Sequence, residues 1–383
     1  MDPLEQHFEE DISQFKRLLH RGDAPYNYER IMLRQQGKRI FSIIKGKLVP
    51  PYELEIQPSS ICNLKCEHCF GKECQRIPDK IGKKEMKIIA EKVNDFKQDD
   101  LIIENVKFCG TTGEPLVNPA TMYGIEIFKK INRKVFLFTN GLFLDKEVEG
   151  KKYLDYILEA DKINLSLDAG SRDVFKRLKK VDGFNRITTS LEELVNKRKN
   201  NNLNIVVSYV IGTLNYDDVV PATYLIREIG ANEIRFRIDF TDRENVHKLS
   251  DKIIENLHQA KELKTENFRV ISMYSENGIK QDDSEFNSVG SKCFIRHLWA
   301  CIGPNAELYT CGHRTKAEVK SFGSILENSF QDLWYSKDRI NCVECLPDQY
   351  CDPCSPFSVK INEFMSTVYR SKETHKIFPE FPK

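Results

Sequence analysis

Twelve cysteines stand in this 383-residue chain, and most of them fall in two groups. The first is Cys62, Cys66 and Cys69, spaced C-x3-C-x2-C within SSICNLKCEHCFGKEC. Thiolates are the metal-binding form of cysteine, so three thiols on one short loop point to a metal centre. Two chemistries fit. A closed zinc site needs four donors, and Cys74 or His68 could be the fourth. Alternatively, three thiolates hold three irons of a four-iron cube and leave the fourth iron open to a small chelating ligand, which makes that iron reactive. The second group is Cys293, Cys301, Cys311, Cys342, Cys345, Cys351 and Cys354. It ends C-x2-C-x5-C-x2-C, a gap too tight for the two knuckles of a zinc ribbon, which stand about 15–20 residues apart. The knuckles are expected to feed different centres, completed by Cys293, Cys301 and Cys311.

Such loops need a scaffold. From residue 52 to about 240, β-prone runs alternate with helical stretches: YELEIQ then 83–97, IIENVKF then 120–131, KVFLF then 147–160, KINLSLD then 185–200, NIVVSYVIG then 217–229, and EIRFRIDF then 247–263. Six alternations predict an α/β fold with a parallel sheet or barrel of βα units. Right-handed crossovers put every strand's C-terminal end on one face, where ligands bind. Several strands alternate where buried parallel strands should read as continuous apolar runs. Glu53, Glu55 and Gln57 oppose Leu54 and Ile56; Asn164, Ser166 and Asp168 oppose Ile163, Leu165 and Leu167; Arg235, Arg237 and Asp239 oppose Phe236, Ile238 and Phe240. The apolar set must pack on outer helices, so the polar set points inward. Unpaired buried charge costs several kcal/mol, so this lumen suits water or a polar, zwitterionic ligand unless the charges pair with one another.

Composition sets bounds. Lys and Arg number 58 against 57 Asp and Glu, a formal net charge of +1, which argues against coating nucleic acid or an anionic membrane. No apolar run approaches the roughly 18 residues of a membrane helix, and the acidic, amphipathic start is not a secretory signal. The chain reads as cytoplasmic, where a disulfide framework is not expected. Residues 1–50 read as two charged helices, 3–20 and 27–45, forming an N-terminal packing extension. The barrel is expected over 51–270, a polar linker over 271–292, the cysteine-rich module over 293–354 and a tail over 355–383.

Four segments in order, the cysteine triad with His68 before its last member, Gly110-Thr111-Thr112-Gly113-Glu114-Pro115, Thr139-Asn140-Gly141 and Ser166-Leu167-Asp168, together resemble the radical SAM superfamily over about 52–240. The resemblance implies a partial (βα)6 TIM-type barrel with a [4Fe–4S] cluster on Cys62, Cys66 and Cys69 and S-adenosylmethionine chelating the unique iron. It further implies that Gly113 and Glu114 meet the methionine ammonium, that His68 lies against adenine, and that Ser166 and Asp168 face the ribose or carboxylate, with Thr112 and Asn140 lining the same site. An ionised acceptor such as Glu114 suits an ammonium. Thr112 departs from the commoner glycine, which bears on the local backbone contact. The C-terminal module resembles the SPASM domain. By that resemblance Cys293, Cys301, Cys311 and Cys354 hold one auxiliary [4Fe–4S] cluster, and Cys342, Cys345 and Cys351 most of a second. Ala306 stands where the family usually has Gly, the last gap is two residues instead of three, and no cysteine follows Cys354, so one or two auxiliary clusters are expected.

In this family S-adenosylmethionine is cleaved reductively and a hydrogen atom is taken from substrate; the cofactor carries the chemistry and the barrel positions the C–H bond. An auxiliary cluster can accept the substrate's electron, which favours net oxidation. Return of a hydrogen atom from a thiol, Cys109 or Cys74, would give epimerisation instead. Arg235, Arg237 and Asp239 are the substrate-side candidates, suited to carboxylate, hydroxyl or ammonium groups. The expected substrate is a small polar metabolite of sugar, cyclitol or nucleoside type. A ribosomal peptide to be cross-linked or oxidised is the alternative, and a metal-stapled binding protein the reading outside enzymes. A reducing electron donor of flavodoxin or ferredoxin type is an expected partner; nucleic acid and membrane are not.

Overall fold

The computed structural model describes residues 28–72, 74–198, 202–273, 276–280, 293–344, 351, 354, 358–359, 361–362 and 365–366. The helix expected over 3–20, Cys345 and most of the linker and tail lie outside the described residues. Nine strands form one sheet: β1 Glu53–Ile56, β2 Asn105–Phe108, β3 Lys134–Thr139, β4 Lys162–Ser166, β5 Asn204–Ile211, β6 Glu233–Ile238, β7 Arg269–Ser272, β8 Trp299–Ile302 and β9 Leu308–Tyr309. Their order across the sheet is β7-β6-β5-β4-β3-β2-β1-β8-β9. Every neighbouring pair is parallel except β8 with β9.

Helices make the crossovers that parallel strands require. They are α1 Tyr28–Ile44, before the sheet, then α2 Lys83–Asp95, α3 Ala120–Lys130, α4 Tyr153–Ile157, α5 Arg172–Lys179, α6 Phe184–Lys197, α7 Val219–Ile229, α8 Arg243–Lys248 and α9 Ser250–Lys261. The alternation in the strands is resolved as expected. Leu54, Ile56, Val106, Phe108, Ile163, Leu165, Ile234 and Phe236 are buried against Met86, Ile89, Ile125, Phe128, Leu191 and Ile226 of the helices, while the odd-numbered polar residues of β1 and β6 face a lumen. The result is a partial barrel of six βα units with a seventh strand.

Three expectations are corrected. Residues 147–160 are not one helix: Glu147–Val148 pairs antiparallel with Lys151–Lys152, and only then does α4 begin. Glu149 and Gly150 lie at φ of 52° and 77°, the pair of left-handed residues that a two-residue hairpin turn needs. A helix absent from the expectation, α5, starts at Ser171, whose side chain accepts from Val174 N. Ile271 and Ser272, assigned to the linker, belong to β7.

The C-terminal module continues the barrel sheet, because β8 pairs with β1 from Glu53↔Trp299 to Ile56↔Ile302. Its beginning, Cys293, Phe294, Ile295 and Leu298, is packed by Ile40, Phe41, Ile43 and Ile44 of α1. Arg39, fully buried on that helix, donates to Pro50 O (2.6 Å), Ile102 O (3.1 Å) and Glu104 Oε1 (3.0 Å). The stretch of α1 from Arg39 to Ile44 thus packs between barrel and module. Among the described residues no helix is long and apolar enough to cross a membrane.

Candidate active site

The cysteine loop leaves the C-terminal end of β1 and is fixed from three sides. Glu114 N donates to Ile61 O at 2.9 Å, and Glu67 N donates to Leu178 O at 3.1 Å. Asn140 Nδ2 donates to Asn63 Oδ1 at 2.7 Å. These contacts carry the Gly110–Pro115 segment, the end of α5 and the Thr139–Gly141 segment onto one loop. Gly113 is required here: a Cβ on it would sit 2.0 Å from Ser59 O. Thr112, the departure from the family pattern, is buried, and its Cα lies where a Cβ on Gly71 would come within 2.8 Å. Gly71, on the cysteine loop, leaves the room that Thr112 occupies.

A cavity of about 670 Å³ opens under this loop. Cys62, Cys66, Cys69, His68, Thr112, Gly113, Glu114, Asn140, Ser166 and Asp168 all line it, and so do Cys109, Arg235 and Arg237. Glu114 accepts from Leu116 N (2.9 Å), Thr139 Oγ1 (2.5 Å) and Asn140 N (2.7 Å). Burial raises its carboxyl to about 6 in spite of these donors. A carboxylate offers about four acceptor positions, so one remains for a cation.

Asp168 is already engaged within the chain. Its carboxylate, at a left-handed residue with φ of 60°, accepts from Lys179 Nζ and from Val210 N (2.6 Å), with His68 Nε2 at 3.4 Å. Burial works to raise this carboxyl, and Lys179 with His68 overrides it and holds it well below the usual carboxylate range. Asp168 therefore anchors Lys179 under the loop while lining the cavity. Lys179 was not singled out from sequence, although the signal existed. Ser171 caps α5, Asp173 follows in its first turn, and Lys176, Arg177 and Lys179 crowd its last.

On the opposite wall, Glu55 takes Lys107 at 2.6 Å and Gln57 Nε2 at 2.8 Å. Burial would raise Glu55, but Lys107 brings it to about 2. Burial beside Glu55 pushes the Cys109 thiol well above its usual range, so it stays protonated. Arg235 is braced by Glu233 through both Nε and Nη2. Asp239 is not in the lining: it follows the last residue of β6, and its carboxylate turns to Thr241 N (2.8 Å) and Thr241 Oγ1 (2.6 Å). The lumen charges are thus largely mutually paired.

The second cysteine group reaches the same cavity through Cys311 and Cys354. Buried Arg296 is held above its usual range, against its desolvation, by the sulfurs of Cys311, Cys293, Cys354 and Cys351. Cys301, fully buried, is in the field of Cys311 and lies against Thr315 Oγ1 (3.2 Å) and Glu55 (3.9 Å). Cys342 lies on Lys337–Glu344, in the field of Arg339. His313 packs at a tilt against Phe70, next to Cys69, with ring centroids 4.9 Å apart.

The donor set fits a cluster with an open iron. Neither alternative fourth donor completes a closed site: Cys74 lies outside the cavity lining with its thiol on Phe70 O, and His68 turns Nε2 to Asp168. His68 Nδ1 and Asn63 Nδ2 are buried without a hydrogen-bond partner, and Arg296 Nε likewise beside the second group.

Residues 56–223 match the family model described as the radical SAM superfamily. The chain is 24% identical over 230 residues to a probable GTP 3′,8-cyclase of Saccharolobus islandicus, covering 57% of this chain and 70% of that protein. It is 29% identical over 147 residues to GTP 3′,8-cyclase of Chlorobaculum tepidum, covering 37% and 40%. In fold it is similar to Streptococcus suis SuiB bound to S-adenosylmethionine, with a TM-score of 0.60 at 16% identity over 92% of this chain and 81% of that one. It is also similar to anSMEcpe with bound AdoMet and a peptide, with a TM-score of 0.55 at 14% identity over 86% and 99%.

Proposed function

This chain is a radical SAM enzyme, using a [4Fe–4S] cluster with S-adenosylmethionine, and from that premise we propose that it removes a hydrogen atom from a small polar metabolite of sugar, cyclitol or nucleoside type, with net oxidation. When bound, the cluster and S-adenosylmethionine supply a 5′-deoxyadenosyl radical that abstracts the hydrogen. Cys62, Cys66 and Cys69 would hold the cluster, and the free acceptor position on Glu114 would take the methionine ammonium. Lys179, fixed by Asp168, keeps a positive charge beside the thiolates. Cys293, Cys301, Cys311 and Cys354 would hold an auxiliary cluster that accepts the substrate's electron, and a flavodoxin- or ferredoxin-type donor would reduce the first. Cys342, Cys345 and Cys351 would supply most of a second.

One observation carries the substrate class. The cavity of about 670 Å³ falls in the range of small-molecule sites, roughly 300–1,000 Å³, and the charged pairs of Glu55 with Lys107 and Asp168 with Lys179 line it beside apolar walls such as Phe136, Phe138 and Trp299. Shared with S-adenosylmethionine, it leaves room for a metabolite. The relatives named for a GTP reaction support a small polar substrate. The similar structures captured with a precursor peptide or a short peptide support the second reading, a peptide substrate.

Anaerobically reconstituted, reduced enzyme should release 5′-deoxyadenosine faster with a pool of polar metabolites than without one. Acceleration by peptides alone would transfer the assignment to the second reading.

A further inference from the structure

Among the described residues, the charge pairing in the lumen leaves Lys162 without a carboxylate. Lys162 is the first residue of β4, at the end of the barrel opposite the cysteine loop, and its side chain lines the cavity. Among the described residues no carboxylate comes within ion-pair distance of it. Glu233 is taken by Arg235 and by Arg269 (2.9 Å), while Glu53 and Glu55 stand at 3.6 and 2.6 Å from Lys107. The Lys162 ammonium instead sits 5.9 Å over the Phe138 ring. Burial and the nearby Arg235 guanidinium pull it down to about 8, the mark of a positive charge without its counter-charge. Arg235 and Arg237 line the same cavity from β6.

A largely buried lysine without a counter-charge costs stability unless an anion arrives to pair with it. We propose that Lys162, with Arg235 and Arg237, is an anion subsite that binds a phosphate or carboxylate group of the substrate. Resting on the reading of this cavity as the substrate site, it deepens that reading: the substrate is an anionic metabolite held by its charged end. The five residues of β4 from Lys162 to Ser166 rise roughly 13 Å. Holding the anion at the start of that strand sets which C–H bond stands at its other end, beneath the cysteine loop. Lysine as a point charge tolerates either anion, and an arginine fork favours a planar or tetrahedral oxyanion.

The test titrates inorganic pyrophosphate and succinate, separately, into anaerobic reconstituted enzyme carrying S-adenosylmethionine, followed by calorimetry. At least one anion should bind, and Lys162→Gln should weaken it tenfold or more, as expected for loss of a charged hydrogen bond. Lys162→Arg should restore most of the affinity, which separates charge from folding. Lys151→Gln, on the outer surface in the hairpin before α4, is the control and should bind as the parent does. The anion whose binding depends on Lys162 identifies the group as phosphate or carboxylate. Binding of neither, or equal binding by Lys162→Gln, overturns the subsite, even where neutral metabolites accelerate deoxyadenosine release. Lys162-dependent binding in an enzyme that only peptides accelerate keeps the subsite and overturns the small-metabolite reading.

Discussion

Lys179→Met tests the support beneath the cysteine loop. Lys179 and Asp168 are 2% and 1% exposed and face each other, so removing the ammonium strands a carboxylate in the interior. Breaking a buried pair from one side costs about 3–5 kcal/mol. At about 2.1 cal/mol/K per residue, a 383-residue chain unfolds with an entropy near 0.8 kcal/mol/K, so the melting temperature should fall by about 4–6 °C at neutral pH. The pH dependence carries the stronger test. In the parent, Asp168 titrates below its unfolded value, so its contribution is complete above about pH 4 and is lost only as pH falls through the folded value. In Lys179→Met burial is opposed only by Val210 N and His68, and the folded carboxyl moves above its unfolded value. The deficit then grows with pH from about 4 upward, by as much as about 1.4 kcal/mol per unit. Asp168→Asn added to Lys179→Met removes the stranded charge while keeping an acceptor for Val210 N, and should recover most of the loss. Anaerobic thermal scans from pH 4.5 to 7.5 measure all three proteins. A deficit that is flat with pH, or a double variant no better than the single one, refutes the reasoning.

S-adenosylmethionine should bind cluster-loaded enzyme more tightly as pH rises through about 6, because its ammonium requires ionised Glu114. Each unit below that should weaken binding about tenfold, and equilibrium dialysis should find Glu114→Gln weak and flat with pH. Gly113→Ala drives a methyl into the Ser59 carbonyl, so a loss of at least 1–3 kcal/mol, about the cost of overpacking, is expected in denaturation, together with loss of S-adenosylmethionine binding. Cys66→Ala should lower the iron content by about four atoms per chain while leaving iron on the second group, read by metal analysis and paramagnetic resonance.

Much of the scaffold was legible because a strand's two faces differ. Leu54 and Ile56 had to be buried, so Glu53 and Glu55 had to face inward, and the same parity placed Arg235 and Arg237. Parity failed at Asp239, one residue past the end of β6: its N still donates to Ile211 O at 2.8 Å, but its carboxylate follows local hydrogen bonding, here to Thr241. The helix expected over 147–160 failed on a turn, since Glu149–Gly150 reads as an unremarkable pair until both residues adopt left-handed angles. Lys179 went unnoticed because its meaning lies in a carboxylate eleven residues earlier and a cysteine loop more than a hundred residues away.

Along the chain, the spacing of Cys62, Cys66 and Cys69, the order of the segments that follow each strand and the inward polar face were determined by sequence alone. These are local properties: a thiol triplet is a ligand set, and a period of two is a face, whatever else surrounds them. Which charges neutralise one another was decided only in three dimensions. Glu55 meets Lys107 from the neighbouring strand, Asp168 meets Lys179 across a turn, and Lys162 meets no carboxylate at all among the described residues. Coulomb energy and desolvation depend on distance through space and on burial, and neither quantity exists until the strands have been brought side by side.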